Sequence, residues 1–268
     1  MLVPIDDAQD PRLNAFRWRE RQLTTIAQRK AAIAEGLFIA EGDLVVQRAL
    51  EAGCVPDVVL CDPKCGAQFA TAVDAAGGTT LVASADIRRE VTGLGVPLDA
   101  IGVFKRPPLI SCDDMIAAAT RLIVLDCVDN PSNVGSIART AAALGWDGLL
   151  LDSTSADPLS RRALRVSMGT TFKLAFARFA NTGDMLNKLQ QHGFLTIGLT
   201  PHHQSREVTD LRTLKVSGKR AVVLGSERQG LSDTSLELCS QLATIQMAKG
   251  VDSLNVASAS AIACFALL

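Results

Sequence analysis

The sequence predicts an α/β protein whose second half forms a largely parallel sheet. Strand-like apolar runs alternate there with helix-like segments, from the run at 122–125 to the run at 242–247. This alternation is typical of a parallel sheet covered by helices on both faces. Polar turns follow three of the strands, at 130–135, 225–230 and 249–255. Because ligands of such sheets bind at the carboxyl ends of the strands, we expect a site where these turns meet.

The composition is typical of a soluble globular protein. The chain has 268 residues, 48% hydrophobic and 21% charged, with a net charge of −1 that offers no overall basic field to a nucleic acid. This length favours two domains. The first residues do not resemble a signal peptide, and no run is long enough to span a membrane. Seven cysteines, an odd number, favour reduced thiols in the cytoplasm. We expect no metal site, because Cys61 and Cys65 lack a completing pair or histidine.

Two local clusters of basic residues are candidates for phosphate contacts. Six Arg or Lys residues lie between Arg12 and Lys30 against the single acid Glu20. The second cluster consists of Arg161, Arg162 and Arg165. Most charge runs are solvated surface, so both interpretations stay open for each cluster.

The first half contains short elements of both kinds. We predict, in order, a helix over 12–34, a strand and turn at 38–42, a helix at 44–52, a strand at 55–60, a helix at 67–76, a strand at 79–83, a helix at 86–92 and a strand at 100–104. The sequence Lys105-Arg106-Pro107-Pro108 disfavours a helix and indicates a linker. We therefore predict a small α/β domain over residues 1–108.

The second predicted domain covers residues 109–268. The segment 115–120 leads into the first strand, at 122–125. We then expect, in order, a helix at 136–144, a strand at 148–151, a helix at 161–166, a strand at 174–179, a helix at 185–192, strands at 195–199, 222–224 and 242–247, and a helix at 256–268. The last helix carries no charge, so it should be buried on nearly every side. Asp252 or Ser253 is its expected N-cap.

Known phosphate-binding signatures do not fit the polar turns. No G-x-G-x-x-G sequence occurs. The turn from Gly225 to Gly230 has the glycine spacing of a nucleotide-binding P-loop, but Leu231 and Ser232 follow it, so the phosphate-binding lysine is missing. A nucleoside without a triphosphate suits this turn better, and a tight strand-to-helix turn with no ligand is the alternative.

Three motifs occupy these turns in a fixed order. They are Asn133-x-Gly135-x-x-x-Arg139, Gly225-x-Glu227-x-x-Gly230 and Ser253-Leu254-Asn255-Val256-Ala257. Together they resemble the motifs of the SpoU/TrmH family of S-adenosylmethionine-dependent RNA ribose 2′-O-methyltransferases. The resemblance covers roughly residues 122–268.

The resemblance to this family implies a specific fold, an oligomeric state, a cofactor and a substrate. It implies a knotted SPOUT-type α/β fold whose C-terminal helix is threaded through a loop, and a homodimer formed through the C-terminal domain. It also implies S-adenosylmethionine as the cofactor and RNA as the substrate. The first half is similar to the ribosomal-protein-like substrate-binding domain of many members, and domains of this size favour rRNA over tRNA.

The resemblance also assigns residues. Those expected to bind the cofactor are Leu224, Gly225, Gly230, Ile245, Met247 and Leu254. Those expected at the catalytic centre are Arg139, Asn133, Glu227, Ser253 and Asn255. An arginine is a poor base because its pKa exceeds about 12. We therefore expect Arg139 to bind the target phosphate and orient the ribose. Asn133 and Glu227 could instead, or in addition, hold the three loops together.

Two other classes of function stay open at this point. A catalytically silent RNA-binding protein of the same fold should lose Arg139 or the cofactor loop, and neither is lost. A metabolic α/β enzyme that uses another nucleotide should carry a phosphate-binding lysine or the dinucleotide glycines, and both are missing.

Overall fold

The computed structural model describes residues 2–25, 27–28, 35–201 and 203–268. It divides into two compact units. The first contains Met1–Pro108 and Leu159–Phe172, and the second contains Leu109–Pro158 and Lys173–Leu268. The segment Leu159–Phe172 thus lies in the second half of the sequence but belongs to the first unit.

The strands carry the labels β1 to β12 in chain order. They are β1 Leu2–Ile5, β2 Leu37–Glu41, β3 Pro56–Cys61, β4 Thr79–Ala83, β5 Ala100–Lys105, β6 Arg121–Leu125, β7 Gly148–Leu151, β8 Ala175–Arg178, β9 Leu195–Leu199, β10 Val208–Asp210, β11 Arg220–Leu224 and β12 Gln241–Thr244.

The α-helices that lie wholly within the described residues are labelled in the same way. They are α1 Asn14–Arg17, α2 Glu20–Leu23, α3 Asp43–Glu51, α4 Gly66–Ala75, α5 Ala85–Thr92, α6 Cys112–Ala118, α7 Pro131–Ala143, α8 Arg161–Ser167, α9 Thr182–Gln191, α10 Asp233–Leu238 and α11 Val256–Ala266. Short 3₁₀ helices lie at Pro11–Leu13 and Thr170–Lys173. None of the helices in the described ranges combines the length and apolar character that crossing a membrane requires.

The first unit contains a five-stranded mixed sheet in the order β1-β4-β3-β5-β2. Strand β5 runs antiparallel to both of its neighbours, whereas β4 is parallel to β1 and β3. The edge strand β1 was not predicted, and its Pro4 is tolerated because an edge strand leaves one side of its backbone unpaired. The core on one face contains Leu13, Phe16 and Leu23 of the N-terminal segment.

The predicted helix over 12–34 is wrong in its described part. Helix α1 ends at Arg17, where Trp18 adopts an extended backbone, and a separate α2 follows. Arg161 gives the reason, since its Nη2 donates to the carbonyl oxygens of Phe16 at 3.2 Å and Trp18 at 2.5 Å. A continuous helix would use these oxygens for its own backbone hydrogen bonds. Residues 26 and 29–34 of the predicted helix lie outside the described residues.

Part of the second basic cluster is neutralised inside the first unit. Glu41, at the end of β2, is buried. Its Oε2 lies 2.7 Å from Nη2 of Arg165, and its Oε1 lies 3.8 Å from Nη1 of Arg161. The Arg165 contact is a close ion pair without hydrogen-bond alignment. A buried carboxylate needs such partners, so two of the three arginines have a structural role.

The second unit confirms the predicted parallel sheet. Its seven strands have the order β10-β12-β9-β11-β6-β7-β8, and every pair of neighbours is parallel. Successive side chains of a strand point to opposite faces, and β6 shows this clearly. Ile123 and Leu125 pack in the core with α7 and α11, whereas Leu122 and Val124 pack in the core with α6 and α9. This burial on both faces explains the continuous apolar runs.

Helix α7 begins five residues before the predicted start. Asn130 is its N-cap and accepts a hydrogen bond from the backbone N–H of Ser132 at 2.9 Å, and Pro131 occupies the first helical position. Proline is favoured there because its missing N–H has no helical partner. Asn133 and Gly135, expected in a loop, therefore lie in the first turns of a helix. The short elements β10 and α10 were not predicted.

Helix α11 begins at Val256, as predicted, but its N-cap is Asn255. The Asn255 Oδ1 accepts from the backbone N–H groups of Ala257 at 2.9 Å and Ser258 at 3.4 Å. The expectation of Asp252 or Ser253 as the cap was wrong, because both lie in the exposed loop before the helix. The helix packs against α7, and Trp146 Nε1 donates to the carbonyl oxygen of Cys264 at 3.2 Å.

The tail is not buried on every side within the single chain. Ile262, Phe265 and Leu268 are 42%, 69% and 52% exposed. In contrast, Ala263 and Cys264 are fully buried. The chargeless tail therefore has one buried face and one exposed apolar face.

Candidate functional site

A cleft of about 430 Å³ lies in the second unit, where β9, β11 and β12 end. All three strands are neighbours in the sheet and run in the same direction, so their carboxyl ends meet at one edge. The residues predicted to bind the cofactor all line this cleft: Leu224, Gly225, Gly230, Ile245, Met247 and Leu254. The polar turns after β11 and β12 thus meet at the place where a ligand site was expected.

The turn after β11 is a closed loop with a fixed backbone. Ser226 and Gly230 exchange two backbone hydrogen bonds, of 2.9 and 3.0 Å. The backbone N–H of Gln229 donates to Ser226 Oγ at 3.1 Å. A Cβ on Gly225 would lie 2.1 Å from the carbonyl carbon and oxygen of Gly230. Gly230 itself has a φ of +72°, which favours glycine. The two glycines are therefore required for different reasons, namely space and backbone conformation.

Three side chains join the three motifs. Glu227 Oε1 accepts from Asn133 Nδ2 at 2.7 Å and from Asn255 Nδ2 at 2.6 Å. Asn255 Nδ2 also lies 3.1 Å from Asn133 Oδ1. Asn133 is buried, whereas Glu227 and Asn255 are exposed. Hydrogen bonds to a charged carboxylate are stronger than those between neutral groups. These hydrogen bonds are the ones that the loop-holding interpretation of Asn133 and Glu227 requires.

Hydrogen bonds at both ends of the Asn255 amide fix its orientation. Its Oδ1 caps helix α11, and its Nδ2 donates to Glu227. An aspartate could still cap the helix, but it would place a second negative charge against Glu227. Asparagine is therefore the residue that links the start of the tail helix to the turn after β11.

The other predicted catalytic residues lie apart from this junction. Ser253 lines the cleft, as Glu227 does, whereas Asn133 and Asn255 are not among its lining residues. Arg139 is exposed on α7 and is not part of the cleft lining. The structure thus brings Asn133, Glu227 and Asn255 together, and it places Arg139 outside the cleft.

Strand β9 also contributes to the cleft, which the sequence motifs did not predict. Leu199, Thr200 and Pro201 line the cleft from the end of this strand, and Thr244 lines it from the end of β12. The strand at 195–199 was predicted, so the rule on carboxyl ends would have identified Thr200 and Pro201 as well. They were missed because their turn lacks glycine and charge.

A buried aspartate binds the residues that follow the turn after β11. Asp126 follows β6, and its Oδ2 accepts from Ser232 N at 2.9 Å, Ser232 Oγ at 2.7 Å and Ser235 Oγ at 2.7 Å. Ser232 is also the N-cap of α10. These bonds attach the start of α10 to the end of a neighbouring strand, and thereby fix the residues that follow Gly230.

A second aspartate organises the neighbouring strand end. Asp152 follows β7, and it accepts from the backbone N–H groups of Ser155 at 2.8 Å and Cys127 at 3.2 Å. Burial alone would raise the pKa of Asp152, but hydrogen bonds from Ser155 and Thr154 outweigh it and hold the pKa below its usual value. The carboxylate therefore stays charged and keeps the turn after β6 in place.

No cysteine is among the described residues that line the cleft. All seven cysteines are free. Burial raises the pKa of Cys239 and Cys264 to about 12, so both thiols stay protonated at neutral pH. Within the part of the chain that the structure describes, no group of His, Cys, Asp and Glu side chains is arranged to hold a metal ion.

Comparison with known proteins identifies relatives along the whole chain. The model of the SpoU rRNA Methylase family matches residues 120–265. An uncharacterized tRNA/rRNA methyltransferase of Mycobacterium tuberculosis is 34% identical over 260 residues, which cover 97% of this chain and 89% of the relative. The 23S rRNA (guanosine-2′-O-)-methyltransferase RlmB of Vibrio vulnificus is 30% identical over 155 residues, 57% of this chain and 61% of that protein.

The crystal structure of an AdoMet-bound rRNA methyltransferase from Sinorhizobium meliloti is similar in fold over the whole length. It has a TM-score of 0.83 and 26% sequence identity, and the match covers 99% of this chain and 97% of that one. The SpoU methyltransferase AviRb from Streptomyces viridochromogenes, with AdoMet, has a TM-score of 0.75 at 23% identity, with coverage of 96% and 97%.

Proposed function

The chain belongs to the SpoU rRNA methylase family, and we propose that it transfers the methyl group of S-adenosylmethionine to a ribose 2′-hydroxyl of RNA. One observation carries this proposal. Three motifs that are far apart in the sequence meet at Glu227, beside a cleft lined by all six residues expected to bind the cofactor. The 2′-O position is supported by the similarity to RlmB, whose name specifies that reaction.

The cleft fits S-adenosylmethionine. Its volume of about 430 Å³ lies within the usual range of small-molecule sites. Leu224, Ile245, Met247 and Leu254 provide apolar surface for an adenine ring, and the backbone groups of the two loops can bind the adenine edge and the ribose hydroxyls. When bound, the cofactor supplies an electrophilic methyl group on a sulfonium. The backbone at Gly225 comes close to that of Gly230, which keeps the loop compact beside this surface.

The proposed roles of the polar residues follow from what methyl transfer requires. The 2′-oxygen must be held in line with the methyl group and must lose its proton. Arg139, exposed on α7, binds the target phosphate and orients the ribose. Glu227, Asn133 and Asn255 keep the loops in position, and Ser253 completes the polar wall of the cleft.

We extend the proposal to the topology and to the domains. Strand β9 lies between β11 and β12 in the sheet, so the chain crosses over β9 when it passes from β11 to β12. Helix α11 then returns to pack against α7. This path supports a knot in which the C-terminal helix is threaded through a loop. Residues 1–108 would be a ribosomal-protein-like domain that binds RNA, and residues 109–268 the methyltransferase domain, apart from Leu159–Phe172, which belongs to the first compact unit. The enzyme would act in the cytoplasm.

We propose that the second copy of the chain covers the exposed face of the tail. Ile262, Phe265 and Leu268 are apolar and exposed on a tail without charge. The same helix contributes Val256 and Ala259 to the cleft. A homodimer through this face would remove the apolar surface from water and would support the cofactor site at the same time.

The favoured substrate is rRNA, and tRNA is the second candidate. RlmB and the Sinorhizobium meliloti protein are named for rRNA, whereas the mycobacterial relative is named for both RNAs. A catalytically silent RNA-binding protein is the alternative function. Isothermal titration calorimetry with S-adenosylmethionine, ATP and NAD tests the cofactor. We expect binding of S-adenosylmethionine alone, and binding of ATP or NAD in its place would contradict the proposal.

A further inference from the structure

Arg228 carries the only positive charge among the described residues that line the cleft. The same lining contains two acids, Glu227 and Asp252. Arg228 is exposed, and its guanidinium makes no hydrogen bond or ion pair with any residue in the described ranges. Most arginines of the second unit have a partner. Arg178, Arg206 and Arg212, for example, donate to carbonyl or carboxylate oxygens.

The neighbouring acid does not neutralise this charge. Glu227 is bound by Asn133 and Asn255, at 2.7 and 2.6 Å. The loop fixes the backbone of Arg228. Ser226 precedes it, Gly230 follows it, and these two residues are joined by two backbone hydrogen bonds. The result is a cation at the tip of a closed loop, at the rim of the cleft and open to solvent.

Resting on the proposed function, we infer that Arg228 binds a backbone phosphate of the RNA substrate and positions the RNA over the cleft. In RNA, the carbon that bears the 2′-hydroxyl adjoins the carbon that bears the 3′-phosphate. A site that accepts a 2′-hydroxyl must therefore accept a phosphate close by. Without Arg228, the described lining of the cleft would carry only the two acids, which repel a polyanion. A planar guanidinium can bind a phosphate with two hydrogen bonds.

The exposed position favours RNA over the cofactor as the partner. Ile245 and Met247, which would hold the cofactor, are half-buried in the cleft, whereas Arg228 is exposed and accessible to a macromolecule. Arg228 is therefore a substrate-binding residue in addition to the proposed Arg139.

The salt dependence of RNA binding tests this role directly. The probe is a fluorescently labelled, single-stranded RNA of mixed sequence, titrated at several salt concentrations. On a single-stranded nucleic acid, loss of one phosphate contact makes the slope of log affinity against log salt shallower by about 0.7. For Arg228→Ala we expect this reduction and about tenfold weaker RNA binding at low salt. The affinity for S-adenosylmethionine and the melting temperature should not change.

Two further variants separate charge from structure. Arg228→Lys keeps a positive charge and should retain the wild-type slope. Lys215→Ala removes an exposed lysine that lies in the segment between β10 and β11 and does not line the cleft, and this variant should bind RNA as the wild type does. An unchanged slope in Arg228→Ala would overturn the inference. So would a loss of S-adenosylmethionine affinity with normal RNA binding, which would assign Arg228 to the cofactor carboxylate.

The binding measurement decides the role of Arg228 independently of catalysis. Absence of methyl transfer by the wild-type protein would contradict the proposed function alone. Normal methyl transfer by the wild type, together with an unchanged slope in Arg228→Ala, would contradict the role of Arg228 alone.

Discussion

Gly225→Ala should disrupt the cofactor cleft, and the size of the effect follows from the structure. The added Cβ would lie 2.1 Å from the carbonyl carbon and oxygen of Gly230 and 2.3 Å from the backbone nitrogen of Leu231. Ordinary contacts of a Cβ begin at 3.4 Å, so these backbone atoms would have to move by more than an ångström. Overpacking against atoms that cannot rotate away costs about 3 kcal/mol. A protein of this size loses roughly 2 °C in melting temperature per kcal/mol, so we expect a decrease of about 6 °C.

Gly230→Ala is the matched control on the same loop. A Cβ there meets no atom within 4 Å, so the cost is only that of a φ of +72°. This conformation costs a non-glycine residue about 1 kcal/mol, or roughly 2 °C. Differential scanning calorimetry and titration with S-adenosylmethionine should show a larger loss of stability, and at least a tenfold weaker affinity, for Gly225→Ala than for Gly230→Ala. Equal effects of the two variants would refute the steric reasoning.

Four further predictions concern single side chains. Arg139→Ala should reduce methyl transfer at least about a hundredfold in a single-turnover assay while S-adenosylmethionine affinity stays constant, and retained transfer would refute its role. Glu227→Ala should cost about 1–3 kcal/mol in chemical denaturation because buried Asn133 loses its acceptor, whereas Glu227→Gln keeps an acceptor and should cost less. Phe265→Glu should weaken dimerisation and cofactor affinity together, and sedimentation of a monomeric wild type with full affinity would exclude that coupling. Asp152 has a lowered pKa, so its charge stabilises the fold above the unfolded pKa of about 3.9, and this stability is lost as the pH falls through the lowered value. The Asp152→Asn variant should therefore be less stable than the wild type at neutral pH and should lose less stability on acidification. Urea unfolding of both proteins at neutral pH and at an acidic pH measures this.

The sheet of the second unit could be predicted because its signals are local. The strands at 148–151 and 195–199 have the predicted bounds, since each is a short apolar run between turn residues. The cleft could be located from the same pattern, because carboxyl ends of parallel strands meet at one edge. The short strand β10 could not be predicted in this way. Among the described strands it pairs with β12 alone, so its identity as a strand depends on a segment more than thirty residues away.

The N-terminal segment shows how tertiary contacts override local preference. The predicted helix is interrupted because Arg161 binds the carbonyl oxygens of Phe16 and Trp18. No local pattern near residue 18 signals a partner that lies more than one hundred and forty positions later. The N-cap of the tail helix α11 is also selected by tertiary packing. Asp252, Ser253 and Asn255 are all good N-caps, and only the packing of the loop selects Asn255.

The sequence was sufficient to predict which residues form the candidate site, but not which hydrogen bonds join them. The motifs identified the residues of the cleft and of the junction, yet the sharing of Glu227 Oε1 between Asn133 and Asn255 emerges only from the fold. Arg228 was not singled out by any motif. Its significance depends on being the one cation of the described lining and on the absence of a partner among the described residues.

Methyl transfer to RNA tests the central claim most directly. Purified protein, radiolabelled S-adenosylmethionine and unmodified transcripts of rRNA and tRNA would be incubated together, and the digested nucleosides analysed by mass spectrometry. We predict a 2′-O-methylated nucleoside from the rRNA transcript and no product without the protein. A methyl group on a base instead of the ribose, or no transfer to either RNA by a protein that binds S-adenosylmethionine, would contradict the proposed function.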